Sequence, residues 1–228
     1  MSTITGTSGN DNETGTSGAD SMVGYEGADT FFGGAGDDTI IGYYPPSDTT
    51  PGGFAGTDLL YGGAGNDQIY GSPDNTEMYG EAGDDIISGG DGEDTIIGGS
   101  GADTLAGGAS SDLFLAASAS DMAGDIITDY IASNQTSQAA EVDIIGITES
   151  LTYQDFSLAY TTVSFNGETR DATEVTINGT HTFTMLGNYT LDSAVYESGE
   201  GATILDFRLF ATTLEPIPGT SGADTLYA

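Results

Sequence analysis

The sequence predicts an all-β protein in two parts, a stack of nine-residue repeats followed by an antiparallel meander. Three observations carry this. A nine-residue unit recurs in register from Gly6 to Leu115. Within each unit glycines crowd the first half and one bulky apolar residue keeps a fixed place in the second, so a unit reads as a turn followed by a short strand. Beyond Leu115 the repeat stops, and apolar-alternating runs joined by Asn-Gly pairs take over, the strongest short hairpin signal.

In frames of nine the chain reads GTSGNDNET from Gly6, GTSGADSMV from Gly15, GYEGADTFF from Gly24 and GGAGDDTII from Gly33. It resumes with GFAGTDLLY from Gly53, GGAGNDQIY from Gly62 and a degenerate GSPDNTEMY from Gly71. GEAGDDIIS, GGDGEDTII, GGSGADTLA and GGASSDLFL complete the array at Leu115. The consensus is G-G-x-G-x-D-x-U-x, with U bulky and apolar.

Each column has a physical reason. Glycine at the first, second and fourth places admits positive φ and brings carbonyl oxygens toward a common point that side chains would obstruct. Gly18, Gly27, Gly34, Gly36, Gly63, Gly65, Gly83, Gly90, Gly92, Gly99 and Gly101 are the candidate carbonyl donors. The sixth place sets a hard anionic oxygen beside them, in Asp11, Asp20, Asp29, Asp38, Asp58, Asp67, Asp85, Asp94, Asp103 and Asp112. Carboxylates and backbone carbonyls are the oxygens with which calcium fills its six to eight positions, so these residues are candidate metal ligands. The eighth place points Met22, Phe31, Ile40, Leu60, Ile69, Met78, Ile87, Ile96, Leu105 and Phe114 inward. Glu13 breaks that column in the first unit and predicts a polar end cap, which stacked repeats need for solubility. Thr76 replaces the aspartate of the seventh unit, and Ser110 a turn glycine of the eleventh.

Composition points the same way. The chain has 36 Asp and Glu against Arg170 and Arg208, a formal charge of −34. Stacked carboxylates with almost no cationic side chains beside them repel, and divalent cations are the available relief. The core is also thin. One inward side chain per unit contributes about 1.5–3 kcal/mol, against about 1–2 kcal/mol of backbone entropy for every residue ordered. The repeat region is therefore expected to be unfolded without metal, with binding and folding a single event. Disorder is the ordinary reading of an acidic chain rich in Gly, Asp and Ser, but such chains do not hold an apolar residue at one place in ten of eleven frames. A turn-capping role remains open for the aspartates of the first and last coils, which lack a stacking partner.

This consensus resembles the RTX calcium-binding repeat family of secreted bacterial proteins, and the resemblance covers roughly half the chain. It implies a calcium-bound parallel β-roll in which two nonapeptides make one coil and units n and n+2 stack. It also implies ions held between stacked turns by aspartates and backbone carbonyls of both. Eleven units stacked in this way make at most nine pairs, and degenerate copies lower the expectation to roughly six to eight ions. Family members leave Gram-negative cells unfolded through a type I exporter, guided by a C-terminal signal, here expected from Asp206-Phe207-Arg208-Leu209-Phe210 onward. An extracellular or cell-surface location follows from the same resemblance. Residues 1–11 contain no basic stretch leading an apolar run, and no segment approaches a membrane span in length.

The divisions expected are a roll over residues 1–115, a β-rich capping and secretion region over 116–218, and an isolated half-repeat over 219–228. Residues 42–52, with Pro45, Pro46 and Pro51, read as a loop inserted between units. Asp125-Ile126-Ile127-Thr128-Asp129-Tyr130 and Asp143-Ile144-Ile145-Gly146-Ile147 resemble blocks that follow the roll in related proteins, with residues 132–140 looped between them. Residues 158–165, 174–177 and 182–186 then predict the meander, which would cover the open end of the roll.

No assembled catalytic constellation is legible, and the expectation is a protein that is not an enzyme. His181 is the single histidine, so neither a three-histidine zinc site nor H-E-x-x-H is available. No serine has the flanking glycines of a nucleophile elbow. A surface this acidic repels phosphate, which excludes nucleic acid as a partner.

Residues 219–227, Gly-Thr-Ser-Gly-Ala-Asp-Thr-Leu-Tyr, are a twelfth copy, and their first six match Gly15 to Asp20. A lone half-coil needs a turn to stack on. One expectation is that it docks on the first coil of a neighbouring molecule, with calcium shared between Asp224 and Asp11 or Asp20. Such a head-to-tail contact builds filaments or layers. Packing on its own chain, or the start of a further array, are the alternatives. Two functions follow. One is a calcium-assembled extracellular structural or surface-layer protein. The other is the calcium-binding secretion and folding module of a larger protease, lipase, epimerase or adhesin. A cell-surface glycan stays open as a further ligand.

Overall fold

The computed structural model describes residues 1–43, 56–130, 143–148, 151, 155–187, 189–191, 203–205 and 207–209. Two parallel ladders wind around one narrow core. The first is built from β1 (Thr3–Thr5), β3 (Ser21–Val23), β5 (Thr39–Ile41), β7 (Gln68–Tyr70), β9 (Ile86–Gly90), β11 (Thr104–Gly108) and β13 (Ile126–Ile127). The second is built from β2 (Asn12–Thr14), β4 (Thr30–Ala35), β6 (Asp58–Ala64), β8 (Thr76–Ala82), β10 (Thr95–Ser100), β12 (Leu113–Ala116) and β14 (Ile144–Ile147). Alternate strands share a ladder, so two nonapeptides make one coil and units n and n+2 stack, the parallel β-roll that the family resemblance implies.

Strand alternation explains what lies inside. The middle residue of each three-residue core segment is the eighth of its unit, and in-register pairing sets these residues in two columns. Ile4, Met22, Ile40, Ile69, Ile87, Leu105 and Ile127 pair along one ladder. Phe31, Leu60, Met78, Ile96, Phe114 and Ile145 pair along the other. From Met22 onward every one is 2% exposed or less. Flanking residues point outward, where Phe32, Tyr61 and Tyr79 stack with ring centroids 4.8 and 4.6 Å apart. Glu13 sits exposed on β2, the end strand of its ladder, the polar end that its break in the column foretold.

Parallel stacking outlasts the nonapeptide. Neither β13 nor β14 follows a complete repeat, yet they pair in register with β11 and β12. The fifth unit needs a correction of frame. Gly42, rather than Gly53, holds its first place, because Gly42 N–H donates to Tyr70 O as Gly6 donates to Val23 O and Gly71 to Ser88 O. The extra residues thus fall, in sequence, between Gly42 and Gly56, and both ladders continue in register across them. Residues 44–55 themselves are outside the described set.

The meander forms as expected and reaches further than the sequence suggests. β15 (Phe156–Phe165), β16 (Glu168–Ile177) and β17 (His181–Leu186) are antiparallel neighbours. Asn166 and Gly167 between the first two both take positive φ (51° and 80°), the two-residue turn that Asn-Gly favours. β17 then pairs parallel with β13, Met185 facing Ile127, and so extends the first ladder past its last coil. β19 (Thr203–Leu205) closes the second ladder antiparallel to β14, and β18 (Tyr189–Leu191) pairs with β20 (Phe207–Leu209). Among the described residues no helix is long and apolar enough to cross a membrane.

Candidate metal centre

The turns of successive coils stack into two files, and the sixth-place carboxylates tie each file together. In one, Asp20 N–H donates to Asp38 Oδ1 at 2.7 Å, Asp38 to Asp67 at 2.7 Å, Asp67 to Asp85 at 2.7 Å, and Asp85 to Asp103 at 2.9 Å. In the other, Asp11 donates to Asp29 and Asp29 to Asp58, each at 2.9 Å. Thr76 then takes the aspartate's place, donates its own N–H to Asp94 at 2.7 Å, and Asp94 donates to Asp112 at 2.9 Å. One Oδ of each accepting carboxylate is in this way spent on the coil before it, whereas the carboxylate of Asp11 is held by Thr7 of its own turn.

The other oxygen is left over. Oδ2 of Asp29, Asp38, Asp67, Asp85, Asp94, Asp103 and Asp112 is buried without a hydrogen-bond partner, although these residues are 2% exposed or less. A buried carboxylate oxygen with nothing to accept is costly. Its surroundings show what is missing. A β-carbon at Gly33 would collide with Asp38 Oδ2 and with the carbonyl oxygen of Gly62 in the next coil. Gly24, Gly80 and Gly89 repeat the pattern against their own aspartate and the stacked carbonyls of Gly42, Gly98 and Gly107. At these four glycines two oxygens from adjacent coils thus converge, and the Oδ2 among them has no hydrogen-bond donor.

Burial makes these carboxylates hard to ionise. Loss of hydration raises Asp58, Asp67, Asp85, Asp103 and Asp112 to about 6, and Asp94 to about 8, from an ordinary 3.8, with Asp29 and Asp38 raised as well. Backbone N–H donation pulls the other way and neighbouring aspartates add to the rise. Asp20 is the exception. The N–H of Ser2 and the hydroxyl of Thr16 hold it down at about 2.

This donor set fits calcium, a hard cation served by carboxylate and carbonyl oxygens. Bound there, it would supply the positive charge and the coordination that the orphaned oxygens lack. Among the described residues no three acidic or histidine side chains gather at one point, so backbone carbonyls must complete any such site. Of the sequence-predicted donors, Gly27, Gly34, Gly36, Gly63, Gly65, Gly83, Gly90, Gly92, Gly99 and Gly101 all take left-handed φ, from 97° to 147°. Gly18 does not. Asp224 lies outside the described residues.

Three acidic residues join the files without having been assigned to them. Asp125 accepts the N–H of Asp103 at 2.9 Å, and Asp143 that of Asp112 at 3.0 Å. Asp129 accepts from Gly107 and Gly108, each at 2.9 Å. The signal was the D-x-U half of the repeat, present in Asp125-Ile126-Ile127 and Asp143-Ile144-Ile145 without its glycine half. A second, exposed ladder runs through the fifth places, with Asn66 N–H on Asp37, Asp84 N–H on Asn66 Oδ1 and Ala102 N–H on Asp84, at 2.9–3.0 Å.

No curated protein matches the chain. The pattern of the RTX calcium-binding nonapeptide repeat family, four copies long, matches residues 14–43, 52–85 and 79–114. Residues 14–114 of this chain thus carry RTX calcium-binding nonapeptide repeats.

Proposed function

We propose that this is an extracellular protein of structural rather than catalytic function, exported unfolded and converted to a rigid roll by calcium. The observation that carries the reading is the set of buried carboxylate oxygens without partners. A fold that strands so many charged atoms in its interior is not stable alone and waits for a cation. Calcium at the level such sites require is found outside cells, which gives the chain one state for export and another after it. The ion load we assign is roughly six to eight, from the aspartate pairs left intact once Thr76 is set aside.

Assembly is the second half of the proposal, with residues 219–227 docking on the first coil of another copy. β1 and β2 end their ladders and offer unpaired backbone. Ile4 on β1 packs against the core from a half-buried position, whereas Glu13 on β2 is exposed. An incoming apolar strand therefore has a partner on β1 and a charge to face on β2.

Calorimetric titration of the full chain with calcium, alongside far-UV circular dichroism, tests the first half. Multisite uptake that coincides with the gain of β signal is expected, and absence of uptake overturns it. Removing the residues after Pro218 tests the second. Particles that stay as large in light scattering as those of the full chain in calcium would remove the docking segment from the account.

A further inference from the structure

Apart from the turn that begins at Gly42, the repeat turns fall into two classes, and the residue in the second place separates them. In seven turns that residue holds a left-handed φ, from Tyr25 (90°) and Gly34 (110°) to Gly99 (107°) and Gly108 (106°). The same seven turns carry the seven carboxylates with a buried, unpartnered Oδ2. Glycine alone does not explain this, because Tyr25 and Glu81 adopt the strained conformation too, at 90° and 75°.

Three other turns have a hydroxyl in the second place, and none of them has a left-handed φ there. Thr16 directs both its N–H and its hydroxyl at Asp20 Oδ2, at 2.6 and 2.8 Å, while its oxygen accepts the N–H of Gly18 at 3.3 Å. Thr7 repeats the arrangement on Asp11, at 2.6 and 3.1 Å, with Gly9 N–H at 3.3 Å. In the seventh unit Ser72 Oγ accepts the N–H of Asp74 at 3.2 Å and lies 3.2 Å from the hydroxyl of Thr76, which stands where the carboxylate would be.

We infer that threonine or serine in the second place closes its turn by hydrogen bonding and withdraws it from calcium binding, so that metal is confined to the left-handed turns. This rests on the calcium reading above. The physical reason is competition for one oxygen. In a left-handed turn the second-place N–H makes no bond to the carboxylate and Oδ2 is free to take a cation, whereas in the two threonine turns Oδ2 already holds two donors. The first coil, made of the two threonine turns, then forms without metal, and one file is interrupted at Ser72. By sequence, Gly219-Thr220-Ser221-Gly222 falls in the hydroxyl class. That removes a bridging ion from the docking of residues 219–227 and leaves strand pairing to make the contact.

The test compares the full chain as wild type, Thr16→Gly, Thr16→Ser and Tyr25→Thr. Bound calcium per chain is counted after equilibrium dialysis, and far-UV circular dichroism in calcium reports the fold. Thr16→Gly is expected to gain one ion, Thr16→Ser to match wild type and Tyr25→Thr to lose one. Residue 25 already carries a β-carbon, so the loss can be read even where Thr16→Gly does not fold. Equal counts in every folded variant overturn the inference and leave calcium-dependent folding standing. A wild-type chain that binds no calcium overturns both.

Discussion

The backbone N–H of Asp38 donates to Oδ1 of Asp67 at 2.7 Å, between adjacent coils, while Oδ2 of the same carboxylate has no partner. One oxygen joins the coils and the other awaits a cation. Asp67→Asn separates the two, since an amide oxygen still accepts from Asp38 but an NH2 replaces the orphan. The calcium concentration at half-folding is expected to rise by roughly tenfold, about 1.4 kcal/mol, with the loaded spectrum unchanged. Asp67→Ala also strands the buried Asp38 N–H, a further penalty of about 1–3 kcal/mol. Calcium titrations followed by circular dichroism compare them, and equal midpoints for the two variants would show that the ladder contributes nothing.

Protons and calcium compete for these oxygens, and their opposed effects can be separated by pH. Burial lifts Asp67, Asp85 and Asp103 to about 6, and Asp94 and Asp125 to about 8. A carboxyl raised on folding contributes stability that is fully present below its unfolded value, near 3.8, and is lost as pH climbs through the folded value. In chelator the chain should therefore gain β signal on acidification from pH 8 toward 4, the window those values set. In calcium the order inverts, and the half-folding concentration should climb as pH drops through 8 and then 6. A metal-free spectrum that stays flat across this range would contradict the burial of the files.

Much of the architecture was legible because the nine-residue period sets a turn and a strand in each unit, while the family resemblance implies the two-unit coil. Met22 and Ile40 belong to units two apart, and a two-unit coil makes them neighbours in one column. What escaped the sequence has physical causes. Gly42 and Gly53 are both glycines eleven residues apart, so either end of the insertion satisfied the frame, and only hydrogen bonding to Tyr70 chose between them. Asp125 and Asp143 lie 22 and 31 residues from their ladder partners rather than 18, and the glycine half that marks a turn is gone. The difference between Thr16 and Gly34 was invisible for another reason. Both are turn residues, and they diverge in the sign of φ and in whether the aspartate is bonded. The parallel pairing of β17 with β13 is a tertiary choice that no local pattern announces.

Asp129 closes the end of the array. Within the roll, a first-place N–H donates to a carbonyl of the following coil, as Gly71 does to Ser88. At Gly107 the carboxylate of Asp129 accepts instead, and Gly108 donates to its other oxygen. One side chain thus replaces the backbone of a missing turn. Asp129→Ala leaves two N–H groups without acceptors, each worth about 1–3 kcal/mol where water cannot reach. The loss should be local, because each coil of a solenoid touches only its neighbours. Hydrogen exchange in saturating calcium is expected to speed up at residues 107–116 and to stay unchanged on β3 and β5. Asp37→Ala supplies the control, since the N–H of Asn66 that it frees is exposed and water takes over as acceptor. Exchange that rises evenly along the roll in Asp129→Ala would mean that the residue holds the fold as a whole rather than its last turn.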